Sequence, residues 1–286
     1  MTVNPDEHVL EAIGRCRIII RKGEVVEVGP PIIRECPLAR RFALPVDPIT
    51  SEAVKENIEH RIRSFGMCTS DRKLLMSGDF VGFGASELIS FGLSSGFFDA
   101  AVIACDGAGT VIATTPALVQ GIGGRMSGLV STSPIPAVIA GIELNGGIVP
   151  FSEIASLDQP EGFRMASAMG YVKIAVTIAV PSDASAIRKN NPEAFIIAVH
   201  TTGITEADAE LLAGSADILT SCASRAIRDV GGRRALLQAG SSIPVFAMTQ
   251  KAKDLILDKV RFTDEPMVVM GAQIPWRGSS EPRPLV

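Results

Sequence analysis

Cys105 and Asp106 stand directly before Gly107 and Gly109 in the stretch ACDGAGTVIATTPALVQGIGGR, residues 104–125. A thiol acts as nucleophile or metal ligand only as thiolate, and a neighbouring carboxylate can orient the base that activates it. Glycines let the backbone turn tightly and present N–H groups to an anion. Gly107, Gly109 and Thr110 can therefore floor a pocket. Gly123 and Gly124 before Arg125 can do the same, with the guanidinium as a bidentate clamp. His200, followed by Thr201 and Thr202, and Cys222 complete the set. The chemistry implied is a thiolate at Cys105 or Cys222, His200 as base and Asp106 behind it, acting on a small anionic ligand. Each residue also has a plainer role: Asp106 capping its own turn, His200 as a bonded structural histidine, the cysteines as small core hydrophobes.

The elements around these residues explain why they are considered together. Apolar runs at 100–104, 111–113, 172–180, 194–199, 217–221 and 243–247 read as strands. Helical periods at 85–93, 134–147, 159–169, 183–190, 205–213, 223–239 and 249–259 separate most of them, and Pro116 opens another helix. Such alternation predicts βα units and an α/β fold with a mostly parallel sheet, with at least four parallel strands within 170–250. Ligands of parallel sheets sit at the carboxyl ends of the strands. Cys105-Asp106, His200-Thr201-Thr202, Cys222 and Thr249 all follow such ends, so one pocket is expected to hold Cys105, Asp106, His200 and Cys222. Further upstream, CRIIIRKGEVVEV at 16–28 reads as a β-hairpin. A proline-rich segment follows, then a helix over 50–65 capped by Thr50 or Ser51. The organisation expected is 1–50 as hairpin and proline-rich segment, 51–262 as the α/β domain with a sub-boundary near 147–158, and 263–286 as an extended tail.

Several chemistries are disfavoured. Gly107-x-Gly109 has Ile112 where a dinucleotide fingerprint needs its third small residue, Gly82-x-Gly84 has Glu87 there, and no P-loop lysine motif occurs, so neither NAD(P) nor ATP is expected. No C-x-x-C or H-x-x-x-H spacing marks a zinc site. Cys16, Cys36 and Cys68, dispersed near loops, remain candidates for gathering around an iron–sulfur cluster. The net charge is −4 with 20% charged residues, which argues against nucleic acid as partner. No apolar run reaches the length of a membrane span or a signal segment, so the expected place is the cytoplasm, with five reduced cysteines. Hydrophobic residues make up 47% and aromatics only 5%, so the core must be mostly aliphatic.

The phrases IGRCRIIIRKGEVVEVGPP, ECPLARR, VKENIEHRIRSFGMCTS, VIACDGAGTVI, LVQGIGGRMSGLV, TSPIPAVI, AVHTTGITEADAELL and ILTSCASRAIR together resemble the methanogenesis marker protein 8 family, across residues 10–260. The resemblance implies a setting rather than a reaction. Such proteins accompany the methane-forming machinery of anaerobic archaea, in maturation or activation of methyl-coenzyme M reductase or of its nickel tetrapyrrole cofactor. Methanogenesis enzymes or their maturation factors are then the implied partners. An anaerobic cytoplasm fits reduced thiols and tolerates an oxygen-sensitive cluster. Two classes stay open: an enzyme with a Cys/His site for a small anion, and a non-enzymatic scaffold that binds a cluster or a partner.

Overall fold

The computed structural model describes residues 6–126, 128–264, 268, 270–278 and 280–286. The β-branched runs near the N-terminus form β1 (His8–Ala12), β2 (Cys16–Arg21) and β3 (Glu24–Val28). Between β2 and β3, Lys22 and Gly23 both take positive φ, as a two-residue hairpin turn requires. The helix expected over 50–65 is α1 (Ser51–Phe65), capped by Thr50, whose hydroxyl accepts from the Ala53 N–H. α2 (Ala85–Ser94) leads to β4 (Ala100–Cys105) and β5 (Gly109–Ala113), and α3 (Pro116–Gly123) begins on its proline. β6 (Gly128–Ser131) and α4 (Pro136–Leu144) follow.

The second half alternates as its periodicity predicts: α5 (Gln159–Ala168), β7 (Ile174–Ile178), α6 (Pro181–Asn190), β8 (Phe195–Ala198), α7 (Glu206–Ser215) and β9 (Ile218–Thr220). Then come α8 (Arg225–Arg234), β10 (Leu237–Ala239), β11 (Val245–Ala247) and α9 (Gln250–Arg261). Here the expectation of a mostly parallel sheet needs correction. The seven-stranded sheet runs β10-β11-β9-β8-β7-β4-β5. Only the pairs β4·β7, β7·β8 and β8·β9 are parallel, while β4·β5, β9·β11 and β10·β11 are antiparallel. Three parallel strands, not four, fall within 170–250, and the fourth is β4. The cause is local. The helix expected over 223–239 stops at Arg234, and Leu237–Ala239 becomes a strand. A turn at Gly240, in the left-handed region at φ 70°, sends β11 back between β10 and β9.

Side chains alternate across the seven-stranded sheet as the pleat demands. Ala101, Ile103 and Cys105 of β4 face one core with Leu88, Val119, Val138 and Leu255 from α2, α3, α4 and α9. Ala100 and Val102 face the other, with Phe163, Ile187, Leu212 and Ile227 from α5, α6, α7 and α8. The fold is thus a mixed α/β sandwich of helix, sheet and helix layers. A second, four-stranded antiparallel sheet, β3-β2-β1-β6, packs its Ile18 and Ile20 against Val54 and Ile58 of α1. Fully burying one such isoleucine contributes about 2 kcal/mol.

From Asp264 on, the expected extended run falls partly on 265–267, 269 and 279, outside the described residues. Its last part returns to the body of the molecule. Glu35 bridges Arg283, and the N–H of Val286 donates to the Ala223 carbonyl. Among the described residues no helix is long and apolar enough to cross a membrane.

Candidate functional site

Parallel strands that end side by side leave their last residues on a common edge, and helices leaving that edge spread apart. A cavity of about 1250 Å³ opens there. Ile103 and Ala104 of β4, Thr177 and Ile178 of β7, Val199 and His200 after β8, and Thr220 and Cys222 at β9 form its floor. One wall is α1, with His60, Arg61 and Phe65; another is the loop 76–84; Gly123, Gly124 and Arg125 close a corner.

His200 and Cys222 both lie in the left-handed region, at φ 54° and 41°. A non-glycine residue there is held by its surroundings. For His200 the neighbour is Gly128: a Cβ at that position would come within 3.1 Å of His200 Nδ1, so the missing side chain is what leaves the ring its place. Surrounding protein lowers the His200 pKa, and the Glu11 carboxylate only partly opposes this. The ring is therefore neutral at pH 7 and can accept a proton. Burial pushes the Cys222 thiol up and Cys36 adds to it, with Thr220, Thr201 and Arg228 nearby opposing the rise. Cys222 is thus held as a thiol.

Thr201 and Thr202 tie the two strand ends together. The Thr201 hydroxyl donates to the Thr220 carbonyl at 2.6 Å, and that of Thr202 accepts from the Ala223 N–H at 3.2 Å.

Cys105 and Asp106 sit elsewhere. Neither lines the cavity. Cys105 is fully buried in the core, its Sγ donating to the Asp106 carbonyl at 3.3 Å. Burial and the adjacent carboxylate push its pKa far up. Asp106 accepts from the Cys68 N–H at 2.7 Å and from Arg72 Nε at 3.0 Å, in an ion pair with both side chains buried. Arg72 also donates to the carbonyls of Lys73, Gly121 and Ile122, so the loop after α1 is stapled to the end of α3. Asp106 serves Arg72 and Cys68 rather than His200. Gly107 and Gly109, at φ 80° and 72°, make the β4–β5 turn. The Gly107 N–H donates to Thr132 Oγ1 at 2.8 Å, and a Cβ at Gly109 would strike the Ala155 carbonyl. Thr110 donates to Gln159 Oε1 and accepts from the Asp158 N–H, reaching the cavity only through Gln159.

The cysteines considered for a cluster share one region of the molecule. Cys16 and Cys68 lie in the core of the four-stranded sheet, with Cys36 packed against it; Cys36 also approaches Cys222, and the Cys68 N–H donates to Asp106. Among the described residues no three His, Cys, Asp or Glu side chains are grouped so as to hold a metal ion.

Arg125 meets the cavity in the manner its glycines suggest. Its guanidinium lies 4.7 Å over the Phe65 ring, and its Nη1 is buried without a hydrogen-bond partner. Burial and the Arg72 charge lower its pKa. Three features were not legible in the sequence. Arg61 lies 4.9 Å over Phe42, its pKa lowered to about 10 by burial and Arg72. Glu87 accepts from the backbone N–H of Phe80 and Val81, from Ser86 and from Gln120, fixing the loop 76–84. Asp183 faces the cavity from the start of α6, its pKa raised by burial and by Asp158. The spacing of Arg61 and Phe65 on α1 was the available signal, but the partners Phe42 and Arg125 come from distant segments.

Comparison with known proteins gives two matches. The family described as an uncharacterized protein conserved in archaea (DUF2099) matches residues 8–261. An uncharacterized protein of Methanocaldococcus jannaschii is 39% identical over 284 residues, covering 98% of this chain and 100% of that protein. No solved structure matches.

Proposed function

Since the chain belongs to this conserved archaeal family, we propose that it is an accessory protein of methanogenesis, of the methanogenesis marker protein 8 kind. In this reading it serves maturation or activation of methyl-coenzyme M reductase, or of its nickel tetrapyrrole cofactor, in the cytoplasm. It works by holding a ligand in the cavity at the strand ends. The phrases shared with the marker family supply the setting. The observation that carries the molecular part is the convergence of His200, Cys222 and Arg125, from three separate segments, on one cavity.

The state of the side chains favours binding over nucleophilic catalysis. A nucleophilic cysteine needs a depressed pKa, whereas Cys222 is raised. A neutral imidazole at His200 suits hydrogen bonding to a ligand, or taking up a proton. The enzyme reading keeps one support, since the same neutral ring is a competent base. The iron–sulfur scaffold reading has, among the described residues, no group of three metal-ligating side chains to rest on.

Deleting the gene in a methanogen tests the assignment. The expected result is methyl-coenzyme M reductase polypeptide at normal level with activity reduced at least tenfold, restored by the wild-type gene and not by a His200→Ala, Cys222→Ser double variant. Unchanged reductase activity in the deletion strain overturns it.

A further inference from the structure

One corner of the cavity holds a guanidinium donor that no protein acceptor meets. Arg125 Nη1 is buried and has no hydrogen-bond partner. A buried donor without an acceptor is uncommon in folded proteins and calls for an explanation. The carboxylates that could have answered it are engaged elsewhere. Glu87 is saturated by Phe80, Val81, Ser86 and Gln120. Asp79 accepts from Lys259 at 2.6 Å, and Asp106 is held by Arg72 and Cys68. Arg61 lines the same cavity, so two guanidinium groups face it close to a third, that of Arg72. Gly123 and Gly124 line this corner beside Arg125, and their missing side chains let Ser86, Gln120 and Met76 pack close against the backbone there. Around this corner the lining turns apolar, with Phe42, Phe65, Met76, Phe80 and Val130.

We infer that the Arg125 corner is an anion subsite for the oxyanion head of a large, otherwise apolar ligand, with Arg61 contributing to the same field. The inference rests on the reading of the cavity as a ligand site and names the ligand's chemistry. The head is a carboxylate, sulfonate or phosphate ester. Such a group meets a guanidinium fork with two parallel hydrogen bonds. The rings of Phe65 and Phe42 hold the two guanidinium planes, so little side-chain freedom is lost on binding. The cavity exceeds the volume that a small anion alone would fill, and its apolar walls need an apolar body to displace water from them.

Two fluorescent probes of nearly equal shape test the inference on the full chain. 1-Anilinonaphthalene-8-sulfonate carries a sulfonate; N-phenyl-1-naphthylamine does not. The sulfonate is expected to bind at one saturable site, at least tenfold tighter than the neutral probe. Arg125→Gln is expected to weaken the sulfonate at least tenfold and to change the neutral probe less than twofold. Should Arg125→Gln fail to fold, the ratio of the two probes on wild-type protein, and its fall as salt rises from 50 to 500 mM, remain decisive. Equal affinity for both probes, or a sulfonate affinity indifferent to Arg125, overturns the anion subsite while leaving an apolar cavity in place. Failure of both probes to bind overturns the reading of the cavity itself, and the inference with it.

Discussion

Two strand ends in this protein carry similar words and have opposite fates. After β4 comes Cys105-Asp106-Gly107, and after β8 and β9 come His200-Thr201-Thr202 and Cys222. The first end is closed: β4 turns straight back into β5, the loop 66–72 packs onto the turn, and Asp106 is 1% exposed against Arg72. The second is open, because β8 and β9 are followed by connections to α7 and α8 that leave the sheet edge to the cavity. A reactive side chain at the carboxyl end of a strand therefore becomes a site only where the next element departs from that edge. A hairpin instead supplies backbone and side chains that satisfy it.

The largest expected effect tests the closed end. Asp106→Ala leaves Arg72 buried without its carboxylate, which costs about 3–5 kcal/mol. Urea denaturation should show that loss, and adding Arg72→Met should recover much of it, since an apolar pair no longer buries a lone charge. His200→Ala, at the open end, should cost less than about 1 kcal/mol, as a change that leaves no buried group unpaired. If the two single variants destabilise equally, the contrast between closed and open ends fails.

A smaller effect separates the two ends by pH. His8 belongs to the closed end: its Nδ1 lies 2.6 Å from Thr132 Oγ1, which in turn holds the Gly107 N–H. Burial lowers the His8 pKa from 6.5, with Asp6 only partly restoring it. Above pH 6.5 both folded and unfolded chains carry a neutral ring, and the contribution is fully present. As pH falls through 6.5 the unfolded chain takes a proton that folded His8 takes up less readily, so stability falls. His8→Gln should flatten the stability profile between pH 7.5 and 5.5 more than His200→Gln does, although both pKa values are lowered in the same direction. His200 is open to the cavity, where water screens its charge. A profile indifferent to His8 and flattened by His200→Gln would reverse the assignment of the two histidines.

How much of this was legible in the sequence follows from the range of the interactions involved. Strands β4, β7, β8 and β9 and the caps Thr50 and Thr205 are set by residues a few positions apart, and they stand where periodicity and capping place them. The direction of β11 was not legible. Leu236 and Leu237 continue the apolar spacing of α8, and only the pairing of Leu237–Ala239 with β11 makes them a strand. The carboxyl-edge rule pointed to His200 and Cys222, and the glycine-and-guanidinium pattern to Gly123, Gly124 and Arg125, all of which line the cavity. The edge rule treated every strand end alike, because a turn that closes on itself and one that leads away read similarly over five residues. Arg72, in a polar loop, carries no local sign that it will be buried against a carboxylate 34 positions later.

The last test concerns the thiols. Cys105, Cys68 and Cys16 are buried, whereas Cys222 is half-buried and lines the cavity. Burial raises the pKa of all four, so none reacts quickly at neutral pH, and access decides their order. Iodoacetamide at pH 8.5 should modify Cys222 in the native protein, together with half-buried Cys36, while Cys105, Cys68 and Cys16 wait for unfolding. Peptide mass spectrometry over time measures this directly. The corresponding substitutions should follow the same line. Cys222→Ser exchanges a half-buried thiol for a hydroxyl that the open cavity can solvate, at a cost of roughly 0.5 kcal/mol. Cys105→Ser places a hydroxyl in the aliphatic core with only the Asp106 carbonyl in reach, at a cost of about 1–3 kcal/mol. Labelling of Cys105 at the rate of Cys222 would show that the hairpin end opens in solution. The two strand ends would then differ in how often they open, and no longer in what they are built to expose.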